Sequence, residues 1–213
     1  MKYLFAALRT IAGVAIVVAI VGQFMKTASG TAINPFNFFG YFTIQSNIIG
    51  AIAFFLSAYF IFRKKSQPIW SSYLRALATV VLAIVGIVYN TLLVDTALEN
   101  SFNLQWSNDI LHFWIPIYAV IDWVFFADRK ILPFPNLWYM LVYPIVWLGV
   151  ILVRGATDGW VPYPFLNPET GYLKVAVYCI IIAAVTILFG YIVYALSRVQ
   201  ILKDDETPTK VSA

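Results

Sequence analysis

The chain has 213 residues, 62% of them apolar or aromatic and 11% charged, with a formal net charge of +4. A soluble domain carries about 25% charged residues, and one core of this length could not hide so much apolar surface, which excludes an ordinary soluble globular protein. The basic residues lie at the ends of apolar runs rather than in one patch, so they give no argument for a nucleic-acid partner.

Six runs have the length a helix needs to cross hydrocarbon, about 17–25 residues. In chain order they are Leu4–Met25, Phe38–Phe62, Leu74–Val94, Ile110–Phe126, Leu137–Val153 and Tyr172–Leu196. They lack the polar alternation of barrel strands, and backbone groups in lipid must pair internally, so helices are expected. Lys2 and the small residues Ala28-Ser29-Gly30 resemble a signal peptide, but the run is longer than a signal core and contains Arg9, which favours a retained helix. With the amino end inside, only Lys26, Arg154 and Lys174 of the chain's 14 Lys and Arg fall on the outer side. The positive-inside rule then places both termini in the cytoplasm.

The expectation is an all-α, polytopic integral membrane bundle of six transmembrane helices over residues 1–198. The polar end 199–213, with Lys203-Asp204-Asp205-Glu206-Thr207-Pro208, reads as a disordered cytoplasmic tail. No organelle address is visible at either end, which points to a bacterial inner membrane. The longest loop, Arg154–Gly171, holds a stretch rich in Pro and aromatics, Gly159-Trp160-Val161-Pro162-Tyr163-Pro164-Phe165-Leu166-Asn167-Pro168. It cannot be regular helix, and it suits an interfacial cap on the bundle or a gate over a cavity below. Cys179 is the one cysteine, so no internal disulfide is expected; neither a metal cluster nor a cofactor motif is apparent. The oligomeric state is left open.

Polar residues inside spans are costly and mark function. Here they gather at the outer ends of three spans: Thr43, Gln45, Ser46 and Asn47 in the second, Tyr89, Asn90, Thr91 and Asp95 in the third, Asn108, Asp109 and His112 in the fourth. At about 1.5 Å rise per residue, Thr43, Asn90 and His112 come to one level. His112 is the chain's one histidine, and Asp109 three residues earlier is spaced to orient its ring. Structural roles are open to each. Thr43 can back-bond to the Phe39 carbonyl, Asn47 can glue helices, and His112 can bond Asp109 or a backbone carbonyl. Asp122, deep in the fourth span beside Trp123, reads as a buried acid or as a partner of Arg129 at the inner interface.

Two segments carry a family resemblance. Phe42-Thr43-Ile44-Gln45-Ser46-Asn47 and Leu111-His112-Phe113-Trp114-Ile115-Pro116 resemble the threonine and histidine segments of the androgen-induced-gene family, six-helix membrane proteins that include the androgen-dependent TFPI-regulating protein. The Trp160–Pro168 loop resembles a bacterial branch of similar proteins. The resemblance implies a threonine hydrolase similar to those that cleave fatty acid esters of hydroxy fatty acids, with Thr43 and His112 as the essential pair.

The chemistry is self-consistent. A threonine hydroxyl needs a base, which His112 supplies, and the tetrahedral intermediate needs donors, for which Gln45, Asn47 and Asn90 are the nearby amides. A substrate carboxylate would meet Arg154 or Lys174. The alternative from another class is a membrane protein that binds or transports a lipid or small solute in the same pocket without breaking a bond. A purely structural subunit would leave the clustering of Thr43, Asn90 and His112 unexplained. Membrane lipids, and a lipid ester in the hydrolase reading, are the expected partners.

Overall fold

The structure, a computed structural model, describes residues 1–30, 34–94, 104–126, 128–136, 138–199 and 201–202. The described residues are helical apart from turns, connecting segments and one isolated bridge between Phe126 and Leu202. The helices are α1 (Lys2–Gly30), α2 (Pro35–Phe38), α3 (Phe42–Phe62), α4 (Ile69–Val88), α5 (Gln105–Asp109), α6 (Ile115–Phe125), α7 (Tyr139–Thr157) and α8 (Tyr172–Leu196). A π-wound segment, Tyr89–Leu93, prolongs α4, and another, Ile110–Trp114, joins α5 to α6. Among the described residues five helices are long and apolar enough to cross a bilayer: α1, α3, α4 with its extension, α7 and α8. The fourth expected span, Ile110–Phe126, is the continuous run α5–π–α6, about 30 Å long at about 1.5 Å per residue.

Local chemistry moves one boundary. The second span was expected from Phe38, but Phe38 belongs to α2, which Asn34 caps by accepting from the Phe36 N–H, with Pro35 at its first position. Helix α3 therefore begins at Phe42. The Pro- and aromatic-rich loop forms two short 3₁₀ turns, Pro164–Leu166 and Pro168–Thr170, as its prolines require. Asp95 and residues 203–213 lie outside the described residues.

Helix α4 is the centre of the bundle: Ala76, Val80, Val81 and Leu82 have no exposed surface. It packs against α3, α6, α7 and α8, while α1 lies on α3. Helices α7 and α8 turn large apolar side chains outward, among them Ile145, Val146, Ile180 and Ile187. Such faces are stable in hydrocarbon, where they need no cover.

At the Arg9 end of the bundle lies a buried ionic cluster that decides between the two readings of Asp122 in favour of the buried acid. Asp122 is not at an interface with Arg129. It accepts from Arg9 Nε at 2.7 Å and pairs with Arg75 Nη2 at 3.0 Å. Asp128 takes the other ends of both guanidiniums, at 2.6 Å from Arg9 Nη1 and 2.6 Å from Arg75 Nη1. Gln67 adds a donor to Asp128. Two positive and two negative charges thus cancel among α1, α4, α6 and the segment after α6. Burial works against the Asp128 carboxylate, but Arg75 and Arg9 outweigh it and hold its pKa well below the usual range. Arg129 instead donates to the Phe126, Leu196 and Val199 carbonyls and covers the Trp123 ring. Leu202, in the stretch read as a tail, donates its N–H to the Phe125 carbonyl, so the chain is held to the bundle at least that far.

Candidate functional site

Thr43 lies in the first turn of α3, where backbone N–H groups have no helical partner. Tyr41 at the cap supplies no side-chain bond. Tyr163, from the loop after α7, takes that place: its hydroxyl accepts from the Thr43 N–H at 3.3 Å and lies 3.4 Å from Thr43 Oγ1. The alternative back-bond from Thr43 to Phe39 is not made; Gln45 Nε2 donates to that carbonyl instead, at 2.8 Å. Gln45 Oε1 in turn accepts from the Tyr143 hydroxyl. Burial pushes the Tyr163 phenol up to about 12, so it stays protonated and can donate.

Pro116 explains the positions of Asn47 and Asn90. Proline has no N–H, so the helix around it leaves carbonyls without donors, whether wound as α or as π. Asn47 Nδ2 donates to the Leu111 carbonyl at 3.2 Å and to Thr43 O at 2.9 Å. Asn90 Nδ2 donates to the His112 carbonyl at 3.3 Å and to Gly86 O at 2.7 Å. A Cβ on Gly86 would meet Pro116 Cβ at 2.9 Å, so glycine lets α4 approach the proline. Both donor hydrogens of each amide are committed to backbone, so the oxyanion role expected of Asn47 and Asn90 has no free hydrogen to serve it. Gln45 keeps one.

The same amide brings the Thr43 turn and the histidine segment together, since one Asn47 nitrogen serves both Thr43 O and Leu111 O. The side chains do not pair there. His112 Nδ1 lies 3.1 Å from the Asn108 carbonyl, and its ring stacks on Tyr89 with centroids 3.9 Å apart. Asp109 does not orient the ring; it accepts from Gln105 at 2.7 Å. A carbonyl can only accept, so a neutral His112 carries its proton on Nδ1 and leaves Nε2 as a bare acceptor. Asn108 also donates to the Tyr89 hydroxyl.

Two cavities flank this turn. The first, about 160 Å³, is lined by Thr43, Tyr163 and Tyr89 among mostly apolar side chains of α4, α7 and α8, and it reaches the outward-facing Ile145 and Ile187. One water needs about 10–15 Å³, so on the order of ten methylene-sized groups fit. His112 does not line it. The second, about 730 Å³, is lined by Asn34, Gln45, Arg154 and Asp158 with Phe36, Phe39 and Trp147. Trp147 borders both. Among the described residues no group of His, Cys, Asp and Glu could hold a metal.

The sequence reading named Asn108 and Tyr163 but missed their contacts with His112 and Thr43. Asn108 had a signal, four residues before His112; Tyr163 had none beyond its aromatic loop. No family model, curated protein or solved structure matches the chain.

Proposed function

We propose that the chain is a six-span membrane protein of the androgen-induced-gene type, with both termini in the cytoplasm of a bacterial cell. On this reading it hydrolyses acyl lipid esters, with Thr43 as nucleophile and His112 as base. The observation that carries this reading is the Thr43 hydroxyl on the wall of an apolar cavity of acyl-chain dimensions that reaches the lipid-facing side chains. Thr43 Oγ1 attacks the ester carbonyl, His112 Nε2 takes the proton and returns it to the leaving alkoxide, and water then releases the acyl group. Tyr163, which shares this cavity with Thr43 and has its hydroxyl 3.4 Å from Thr43 Oγ1, is the oxyanion donor, while Gln45 lines the other cavity. For the proton to transfer, the His112 ring must turn away from Tyr89 as substrate displaces the Tyr163 contact.

The second reading, lipid binding without turnover, is favoured by the stacking of His112 on Tyr89, which leaves Thr43 without a base. Cys179 lines the cavity and separates the outcomes. In both readings an acyl lipid shields Cys179 from maleimide; only hydrolysis also releases fatty acid from a panel of lipid esters. An unshielded Cys179 with no fatty acid released refutes both.

The span count has its own test. Reporters fused after Lys65, Lys130 and the carboxyl end should report cytoplasm, and those near Ala32, Asn100 and Thr157 the outside. One reversed reporter at an undisturbed loop breaks the six-span arrangement.

A further inference from the structure

We infer that the larger cavity takes the polar head of the same lipid whose chain enters the Thr43 cavity, and that it selects a zwitterionic phosphate–ammonium head over an anionic one. This rests on the acyl-lipid reading of the Thr43 cavity, though not on turnover.

Adjacency is the first argument. Thr43 and Gln45 stand two residues apart on the first turn of α3, one on each cavity, and Trp147 borders both. An amphipathic molecule with its chain among Val88, Leu148 and Ile182 has its polar end directed past Trp147 to Gln45 and Arg154. The two cavities match the two halves of a lipid: nearly all apolar in one, amide and charged groups in the other.

Charge pairing is the second argument. The sequence alone suggests Arg154 or Lys174 as the cation for a free carboxylate, and Arg154 is the one that lines this cavity. In the structure that charge is already met: Nε and Nη2 donate to Asp158 Oδ2 at 3.0 and 2.7 Å, and Nη2 also donates to Asn37 Oδ1 at 2.8 Å. Trp160 fixes the pair from both sides, its ring under the guanidinium at 4.2 Å and its backbone N–H donating to Asp158 Oδ1. Hydrogen bonding from Arg154 lowers the Asp158 pKa, so the carboxylate stays ionised at neutral pH. A bare anion entering here meets Asp158 beside Arg154 and gains little. A zwitterion satisfies both partners. Its phosphate takes Arg154 Nη1, which has no partner among the described residues, and its ammonium takes Asp158 with the faces of Trp147, Phe36 or Phe39.

The test is a titration of the full-length protein, in detergent and followed by native mass spectrometry, with four lipids of identical acyl chains. Phosphatidylcholine and phosphatidylethanolamine should bind about tenfold more tightly than phosphatidylglycerol or diacylglycerol. Asp158→Asn frees Arg154 and should reverse the order in favour of phosphatidylglycerol. Arg154→Gln should bring every head to the diacylglycerol level. Equal affinities, or a wild-type preference for phosphatidylglycerol, overturn the head site while the chain cavity stands. No lipid bound, with Cys179 unshielded, removes the chain cavity as well. The wild-type series decides by itself if either variant fails to fold.

Discussion

Asp122→Ala should cost about 3–5 kcal/mol of stability, the typical loss when one partner leaves a buried ion pair. Asp122 and Arg9 are almost fully enclosed, and Arg75 is 2% exposed. Removing the carboxylate leaves two buried guanidiniums facing Asp128 alone. The double change Arg9→Leu with Asp122→Leu should recover most of the loss, because Arg75 and Asp128 still cancel. Unfolding in graded SDS, read by circular dichroism, measures both. An Asp122→Ala protein as stable as wild type would show that the cluster contributes nothing. The sign with pH also follows. Asp128 has a depressed folded pKa, so its contribution is complete above its unfolded value of about 4 and is lost only as pH falls below that.

Thr43→Ala and His112→Ala should each lower kcat/KM for lipid esters by about a thousandfold or more, as when a nucleophile or its base is lost. Thr43→Ser should retain turnover, because the hydroxyl remains. Neither alanine change should unfold the protein: Thr43 Oγ1 makes only the long contact to Tyr163, and His112 is half-buried. Tyr163→Phe should lower kcat by about a hundredfold if its hydroxyl serves the oxyanion. Full activity in His112→Ala alongside a dead Thr43→Ala would place the base elsewhere. Full activity in both would end the threonine mechanism, and a wild type that sheds no fatty acid while shielding Cys179 would leave lipid binding as the function.

Helical class and the apolar runs were legible in the sequence, which also marked Thr43, Asn90 and His112 by their distance from span ends. Each is a one-dimensional property: run length against bilayer thickness, and distance from a span's end. The sequence also marked Asn47 and Asn90, but not that these two amides serve the carbonyls left open by the Pro116 ring. Those donors come from α3 and α4, and only packing brings them there. Asp122 was visible as a buried acid, yet its partners Arg9 and Arg75 lie far away in the chain and were read as topological charges. Tyr163 is as remote from Thr43, whereas Asn108 and Asp158 stand only four residues from His112 and Arg154 and were passed over for Asp109 and for a substrate carboxylate. Spacing along one helix proposes near neighbours. Which acceptor a side chain meets depends on rotamer and on competing donors from other helices, so the tertiary structure alone decided the partners at the site.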